Sequence, residues 1–529
     1  MSVRVRYAPS PTGSPHVGNV RTALFCHLFA KRMGGVNILR LEDTDRSRYV
    51  PGCEEEIVEG LRWLGIEWQE GLEVGGTHEP YRQSQRKEAG VYAEWIDKLL
   101  AAGHAYKAFD TPEELTEMRE YQQINKQPVG YFGGVWRDAS GAEIERAEAE
   151  GKPFVIRLKM PRGRKLTCRD AIRGLIEWDA EDSDDPVLIK ADGMPTYHCA
   201  AMVDDHLMGI THVIRGEEWI SSAPKHVWLY EAFGWEPPTF VHVPVILGTD
   251  GKKLSKRHGD TRLLDYRAAG YLPSALVNFI ALIGWSPGGD RELMSMREME
   301  EAFDLEGLQP SPGVFDIEKL LWMNGHYLRQ LTPDELVEEV RAYVAAPDTD
   351  EYWNRADFVS TGTISLLERL EKELSENSEM AVEALKLEQQ RVTTLAEFGE
   401  ATAFFFEEEP PMDAKAVEKW LSQPHVAELF EYLIGKLGGE PEAARPAPHP
   451  VAVAPDHTER RHVSIEECER LIRSYAEDHG FEKLGPVVHP TRVALTGKTV
   501  GPGLFELMSV LGPERMVRRL KRALGLIAG

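Results

Sequence analysis

Residues 3–45 read VRVRYAPSPTGSPHVGNVRTALFCHLFAKRMGGVNILRLEDTD, and the periodicity changes three times along them. Val3, Val5 and Tyr7 alternate with Arg4 and Arg6, the period of two of a strand. The loop APSPTGSP follows, dense in Pro, Ser and Gly. From about residue 17 to 33, Val20, Leu24, His27 and Leu28 recur at helical spacing, and Gly34-Gly35 ends the run where a helix C-terminus favours glycine. Residues 37–42 are a second strand. Strand, loop, helix and strand in one short stretch make a βαβ unit, which predicts a parallel sheet and a nucleotide-type fold.

The rest of the chain extends that reading. A length of 529 residues exceeds one compact core and calls for several domains. Over 81–190 the pattern changes to helical stretches (88–102 and 113–123) and the strand-like FVIRLKM, an inserted mixed α/β domain. Sheet-like signals return at 196–203 and 211–215, and 241–247 is a late strand leading into TDGKKLSKRHG. Beyond about 263 the chain is predominantly helical, with apolar helix spacing at 276–282, 317–323, 366–395 and 417–437 and again over 464–528. Residues 438–455, rich in Pro and Ala, read as a linker or extended surface loop. The expected fold is α/β: a Rossmann-type parallel-sheet core at 1–80 and 191–250, the inserted domain at 81–190, a segment at 251–330 carrying KLSKR, and all-α domains at 331–403 and 404–529.

The net charge of −25 counts against phosphate contacts, which need Lys and Arg. It is a whole-molecule sum, however, and leaves room for local basic clusters. Arg162, Arg164 and Lys165 form one; Lys252, Lys253, Lys256 and Arg257 a second; Arg515, Arg518, Arg519, Lys521 and Arg522 a third. Each reads as well as a solvated face. Cys26, Cys53, Cys168, Cys199 and Cys468 are scattered, odd in number and never in a C-x-x-C pair, so reduced, buried thiols are expected rather than disulfides or a zinc knuckle. No stretch approaches the roughly 18 apolar residues of a membrane span. The N-terminus has no apolar stretch typical of a signal peptide, so a cytoplasmic protein is expected.

Two motifs carry chemistry. His16-Val-Gly18-Asn19 opens the first helix, where free backbone N–H groups favour phosphate, glycine permits close approach, and the imidazole can donate to a phosphoryl oxygen. Alone, it reads equally as a His capping its helix. Lys253-Leu-Ser-Lys256-Arg257, on a Gly-bounded loop, offers cations to neutralise a departing pyrophosphate, or is a plain basic loop.

Taken together in this order, and with the acidic strand end Leu41-Glu42-Asp43-Thr44-Asp45, they resemble the two signatures of the class I aminoacyl-tRNA synthetases. The segments RYAPSPTG from Arg6, RLEDTD from Arg40, PTYH from Pro195, VDDH from Val203, VIRGEEW from Val213, WMNG from Trp322, and RVALTG and PGLF near the end resemble the bacterial glutamyl-tRNA synthetases over essentially the whole chain. The resemblance implies ATP-dependent attachment of L-glutamate to tRNA(Glu). It implies Arg6 on the substrate α-carboxylate, Glu42 on the α-ammonium, Arg215 on the side-chain carboxylate, and Tyr197, Ser10 and Ala8 completing the pocket. It implies His16, Gly18, Glu218, Leu247 and Lys256 at ATP, with His16, Lys253 and Lys256 as the catalytic set and Mg²⁺ accompanying the triphosphate. Residues 81–190 would bind the acceptor stem, 251–330 the stem, and the helical half the anticodon, with Arg391 facing its last base. A monomer is usual for the family. Tyr106-Lys-Ala-Phe109 stands where some relatives carry zinc-binding cysteines, so neither zinc nor any other protein-held metal is expected.

Three rivals are weighed against this. A glutaminyl-tRNA synthetase would end in β-barrels, not helices. A small-molecule nucleotidyltransferase using the same His-x-Gly chemistry has no need of the long helical half. A non-catalytic paralogue is expected to lose His16 or Lys256, and both are present.

Overall fold

The structure, a computed structural model, describes residues 2–254, 262–346, 362–376, 379–438 and 462–528. Lys256 and nearly all of the Pro/Ala-rich stretch lie outside them. The chain divides into two compact units, Met1–Tyr266 with Pro273–Leu320, and Arg267–Leu272 with Leu321–Gly529.

The first unit is built on the expected βαβ beginning: β1 (Arg4–Tyr7), α1 (Val17–Arg32) and β2 (Val36–Leu39). Val20, Leu24, Phe25 and Leu28 of α1 are buried, and Gly34, at φ +58°, turns the chain back toward the sheet in a conformation that disfavours a side chain. After α2 (Cys53–Trp63), β3 (Glu70–Gly71) joins β2, giving the parallel order β1-β2-β3. Next come α3 (Gln83–Glu88) and α4 (Ala93–Ala101). A small antiparallel sheet follows, ordered β4 (Ala105–Ala108), β5 (Val155–Leu158), β8 (Val187–Ile189), with α5 (Pro112–Ile124) and α6 (Gly141–Ala149) between its first two strands. The hairpin β6 (Lys165–Asp170) and β7 (Gly174–Asp179) belongs by sequence to this stretch, yet Asp170 of β6 pairs in parallel with Phe240, on the strand Thr239–Val243.

Helix α7 (Tyr197–Leu207) occupies the place where residues 196–203 suggest a strand. Every residue from Cys199 to Asp205 is buried, so the helix has no polar face to impose a 3.6-residue period, and its Tyr, Cys and Val imitate a buried strand. Then come β9 (His212–Gly216), α8 (Ala223–Phe233), β10 (Thr239–Val243), β11 (Ile246–Leu247) and β12 (Gly313–Val314). The expected strand over 241–247 is thus split at Pro244. β9 and β10 pair in parallel. β9 also runs beside β1: Thr211 N donates to Arg4 O at 2.9 Å, and its Oγ1 accepts from Arg4 N at 2.9 Å. The spatial order β3-β2-β1-β9-β10 therefore reverses between β1 and β9, the switch point where open parallel sheets bind ligands at the carboxyl ends of their strands.

The second unit is helical among the described residues, from Pro333–Ala345 to Leu504–Ala528. The expected single helical run over 366–395 is two helices, Thr363–Ser375 and Glu379–Glu388. All five cysteines are buried and free.

Candidate functional site

The carboxyl ends of β1, β2 and β9 and the start of α7 bring Arg6, Glu42, Tyr197 and Arg215 together. Arg6 is 4% exposed; its Nε donates to Asp205 Oδ1 at 3.1 Å. Arg40 donates from Nη1 to the same oxygen at 2.8 Å and from Nη2 to Glu42 Oε1 at 2.9 Å. Asp204, next along α7, accepts from Arg86 Nε at 2.6 Å, Gln83 Nε2 at 2.9 Å and the Tyr92 hydroxyl at 3.0 Å. Burial alone would push the Asp205 carboxyl up, but Arg6 and Arg40 outweigh it and hold it below the usual carboxylate range. Glu42 goes the other way: burial raises its pKa despite Arg40 and Arg6. An added cation beside Glu42 would stabilise its charged form.

Arg215 is 5% exposed. Its Nε donates to His242 Nε2 at 3.0 Å, its Nη1 lies 3.1 Å from His226 Nδ1, and Phe240 covers its face at 4.9 Å. Its Nη2 is buried and has no hydrogen-bond partner among the described residues. A buried guanidinium donor left open is costly unless an acceptor enters, and a carboxylate fits that edge. Tyr197 stacks on Trp219, ring centroids 4.0 Å apart. Burial raises its pKa, and Arg215, Glu42 and Arg6 all lie near enough to act on it.

The two sequence motifs meet on the neighbouring side. His16 is the N-cap of α1, and its Nδ1 accepts from Gly18 N at 3.2 Å. A side chain on Gly18 would meet the imidazole, with a Cβ 3.1 Å from His16 Cε1. Lys253 bridges Leu247, and Arg262 bridges His16, so both described flanks of the KLSKR loop return to this place. The outer edge of His16 is exposed; crowding on its inner side, then Lys253, lowers its pKa, while Glu218 opposes. A neutral imidazole there donates a hydrogen bond without adding a charge.

Other expected residues are not engaged. Ser10 is exposed and lies 3.2 Å from the Thr12 hydroxyl; Ala8 is half-buried beside it. Arg391, in the second unit, sits just past the end of its helix and donates to Glu388 Oε2 at 2.9 Å. Tyr106 lies on β4 and donates to Asp185 Oδ2 at 2.7 Å. Among the described residues no group of three or more His, Cys, Asp or Glu gathers to hold a metal ion. Three residues of the terminal basic run turn inward: Arg515 donates to Phe405 O at 2.5 Å, Arg519 to Leu495 O and Phe404 O at 2.6 Å each, and Arg522 to Pro410 O at 2.9 Å, while Arg518 and Lys521 are exposed. Sequence reading gave no role to Arg40, Asp204, Asp205, His226 or His242. The signal for the first three was present: adjacent carboxylates directly after the apolar run CAAMV, if buried with it, need cationic partners.

Fold and site together define a class I synthetase. Residues 2–322 match the family described as tRNA synthetases class I (E and Q), catalytic domain, and residues 332–449 and 451–524 match the anticodon binding domain. The chain is 42% identical over 523 residues to the glutamate–tRNA ligase of Thermus thermophilus, covering 99% of this chain and 100% of that protein. It is 38% identical to that of Treponema denticola, covering 99% of each. A crystal structure of a glutamate tRNA ligase from Elizabethkingia meningosepticum, in complex with its amino acid, superposes with a TM-score of 0.84 at 35% identity, covering 100% of both chains. The chain belongs to the glutamate–tRNA ligase family of class I aminoacyl-tRNA synthetases.

Proposed function

We propose that the chain, working as a cytoplasmic monomer, activates L-glutamate with ATP and transfers it to the 3′-terminal adenosine of tRNA(Glu). The observation that carries this reading is the open, buried Nη2 of Arg215 in a pocket that also holds Arg6 and Glu42. Glutamate has two carboxylates and one ammonium. Two guanidinium groups and one carboxylate, each already oriented by partners in the protein, complement that pattern. Glutamine would set its amide N–H₂ against the Arg215 donors, leaving both unpaired, a mismatch of several kcal/mol at most.

In the first step a glutamate α-carboxylate oxygen attacks the α-phosphorus of ATP and pyrophosphate leaves. No protein nucleophile takes part. His16 and the N-terminus of α1 stabilise the phosphoryl oxygens, and Gly18 and Leu247 give ATP room against the backbone. Lys253 and Lys256 neutralise the departing pyrophosphate, and Glu218 lies on the nucleotide side of His16. Mg²⁺ arrives on the triphosphate, which suits an ion that keeps much of its own hydration. In the second step a hydroxyl of the terminal ribose attacks the mixed anhydride and AMP leaves. Residues 81–190 hold the acceptor stem and 251–330 contact the stem; 331–403 and 404–529 hold the anticodon, with Arg391 facing its last base.

The test is aminoacylation with labelled glutamate and glutamine on purified glutamate and glutamine tRNAs separately. Glutamate on the glutamate tRNA is the expected product. ATP-dependent modification of a free metabolite, without charging, would refute the reading.

A further inference from the structure

Resting on that pocket reading, we propose that His226 and His242 are positioning residues that clamp the Arg215 guanidinium from two sides, fixing Nη2 as the one donor edge left for the substrate side-chain carboxylate.

Arginine has donors and no acceptor. His242 Nε2 and His226 Nδ1, at 3.0 and 3.1 Å from Arg215, must therefore both accept, and each must be unprotonated at that nitrogen. The rest of the chain of contacts fixes where their protons sit. His242 Nδ1 lies 2.7 Å from Asp170 Oδ2, so it carries the proton and donates it to the carboxylate. Asp170 is itself held by the backbone N–H groups of Ile172 and Arg173, each at 2.9 Å, and of His242 at 3.1 Å. His226 Nε2 lies 2.9 Å from His198 Nδ1, so it carries the proton and donates it onward. The two rings flanking Arg215 are thus neutral and of opposite tautomer. His226 and His242 are both fully buried, and burial first, then the Arg215 charge, keeps His226 uncharged.

A carboxylate in either place would pair with Arg215 and compete with the substrate. A hydrophobic residue would leave a buried N–H open and the fork free to turn. Neutral imidazole avoids both: it satisfies Nε and Nη1 without cancelling the charge that the substrate needs. Phe240 over the guanidinium face closes the remaining direction.

His226→Phe keeps a ring of similar size and removes the acceptor; His226→Asn puts an amide oxygen where Nδ1 stood. The expected result, in tRNA-dependent pyrophosphate exchange on the full chain, is a rise in glutamate KM on the order of tenfold for His226→Phe. ATP KM and kcat at saturating glutamate should stay within about threefold of wild type, the size of change expected when only ground-state positioning is lost. His226→Asn should recover most of the loss. A glutamate KM unchanged in His226→Phe, with a large rise in Arg215→Ala, would overturn the clamp alone. An unchanged KM in Arg215→Ala would overturn the pocket reading, and the clamp with it. The wild-type protein gives a reading that needs no variant: ¹⁵N shifts of labelled histidine at neutral pH should report His242 protonated at Nδ1 and His226 at Nε2. The same tautomer in both rings, or a charged ring, would overturn the proposal.

Discussion

Asp205 Oδ1 stands 2.8 Å from Arg40 Nη1, and both side chains are fully buried. The pair is tied into a larger set, because Arg6 shares the same oxygen and Arg40 also holds Glu42. Removing Asp205 would leave two guanidinium groups buried without their shared partner. Asp205→Ala should therefore cost about 3–5 kcal/mol. Urea unfolding checks this: a midpoint unchanged from wild type would mean that the network adds nothing to the fold.

Gly18→Ala tests the nucleotide side. The added Cβ would lie 3.1 and 3.2 Å from the His16 ring, tighter than ordinary contact, and would push the imidazole off its cap. The expected outcome is a loss on the order of tenfold or more in adenylate formation, as for removal of one oriented donor to a developing charge. The melting temperature should change little, because the substitution falls in the first turn of α1. Exchange kinetics at full activity would show that His16 does not need its present place.

Within the second unit, Arg519 closes the ends of two helices: its Nη1 reaches Leu495 O and its Nη2 reaches Phe404 O and Glu407 O, at 2.5–2.6 Å. Arg519→Met strips two buried carbonyls and one half-buried carbonyl of their donor and should destabilise by about 3 kcal/mol or more. Arg518→Ala, one position away, removes only an exposed contact to Glu408 at 3.6 Å and should cost less than about 1 kcal/mol. Thermal unfolding of the two variants side by side gives the comparison.

The histidine chain sets a pH dependence. Burial first, then Lys225, lowers His198 to about 4; burial lowers His226 well below its ordinary value, and His242 is also lowered although Asp170 opposes this. Asp184, Lys225, Arg215, Asp170 and Arg173 are the charged groups acting on these rings. Because the folded values lie below 6.5, the unfolded chain binds more protons in acid, so stability rises with pH and is lost as pH falls from 6.5 toward 4. Asp170 and Asp205, whose folded values are depressed, lose their contribution only below the ordinary carboxylate value. Melting curves at pH 7, 6 and 5 should show a falling midpoint, with glutamate affinity failing before ATP affinity.

How much of this the sequence carried depends on whether a residue's role is local. The βαβ start was readable because strand alternation, the helical spacing of Val20, Leu24 and Leu28, and Gly34-Gly35 are all encoded within a few residues of each other. His16 and Gly18 were readable as a pair for the same reason. α7 was misread because a helix buried on every side loses its period. Arg6, Glu42 and Arg215 came from motif resemblance; their environment came only from the fold, since Asp205 lies 199 positions from Arg6 and His242 lies 27 from Arg215. Arg515, Arg519 and Arg522 carried no sign in their sequence that they point inward.

That inward direction bears on how the molecule should respond to salt. A protein gripping a polyanion displaces condensed counterions, one set for each phosphate neutralised, and its affinity falls with ionic strength in proportion. Arg515, Arg519 and Arg522 already give donors to main-chain carbonyls, so they have little to offer a backbone phosphate. Counted by sequence they inflate the apparent cationic surface; counted by counterions released, they should be nearly silent.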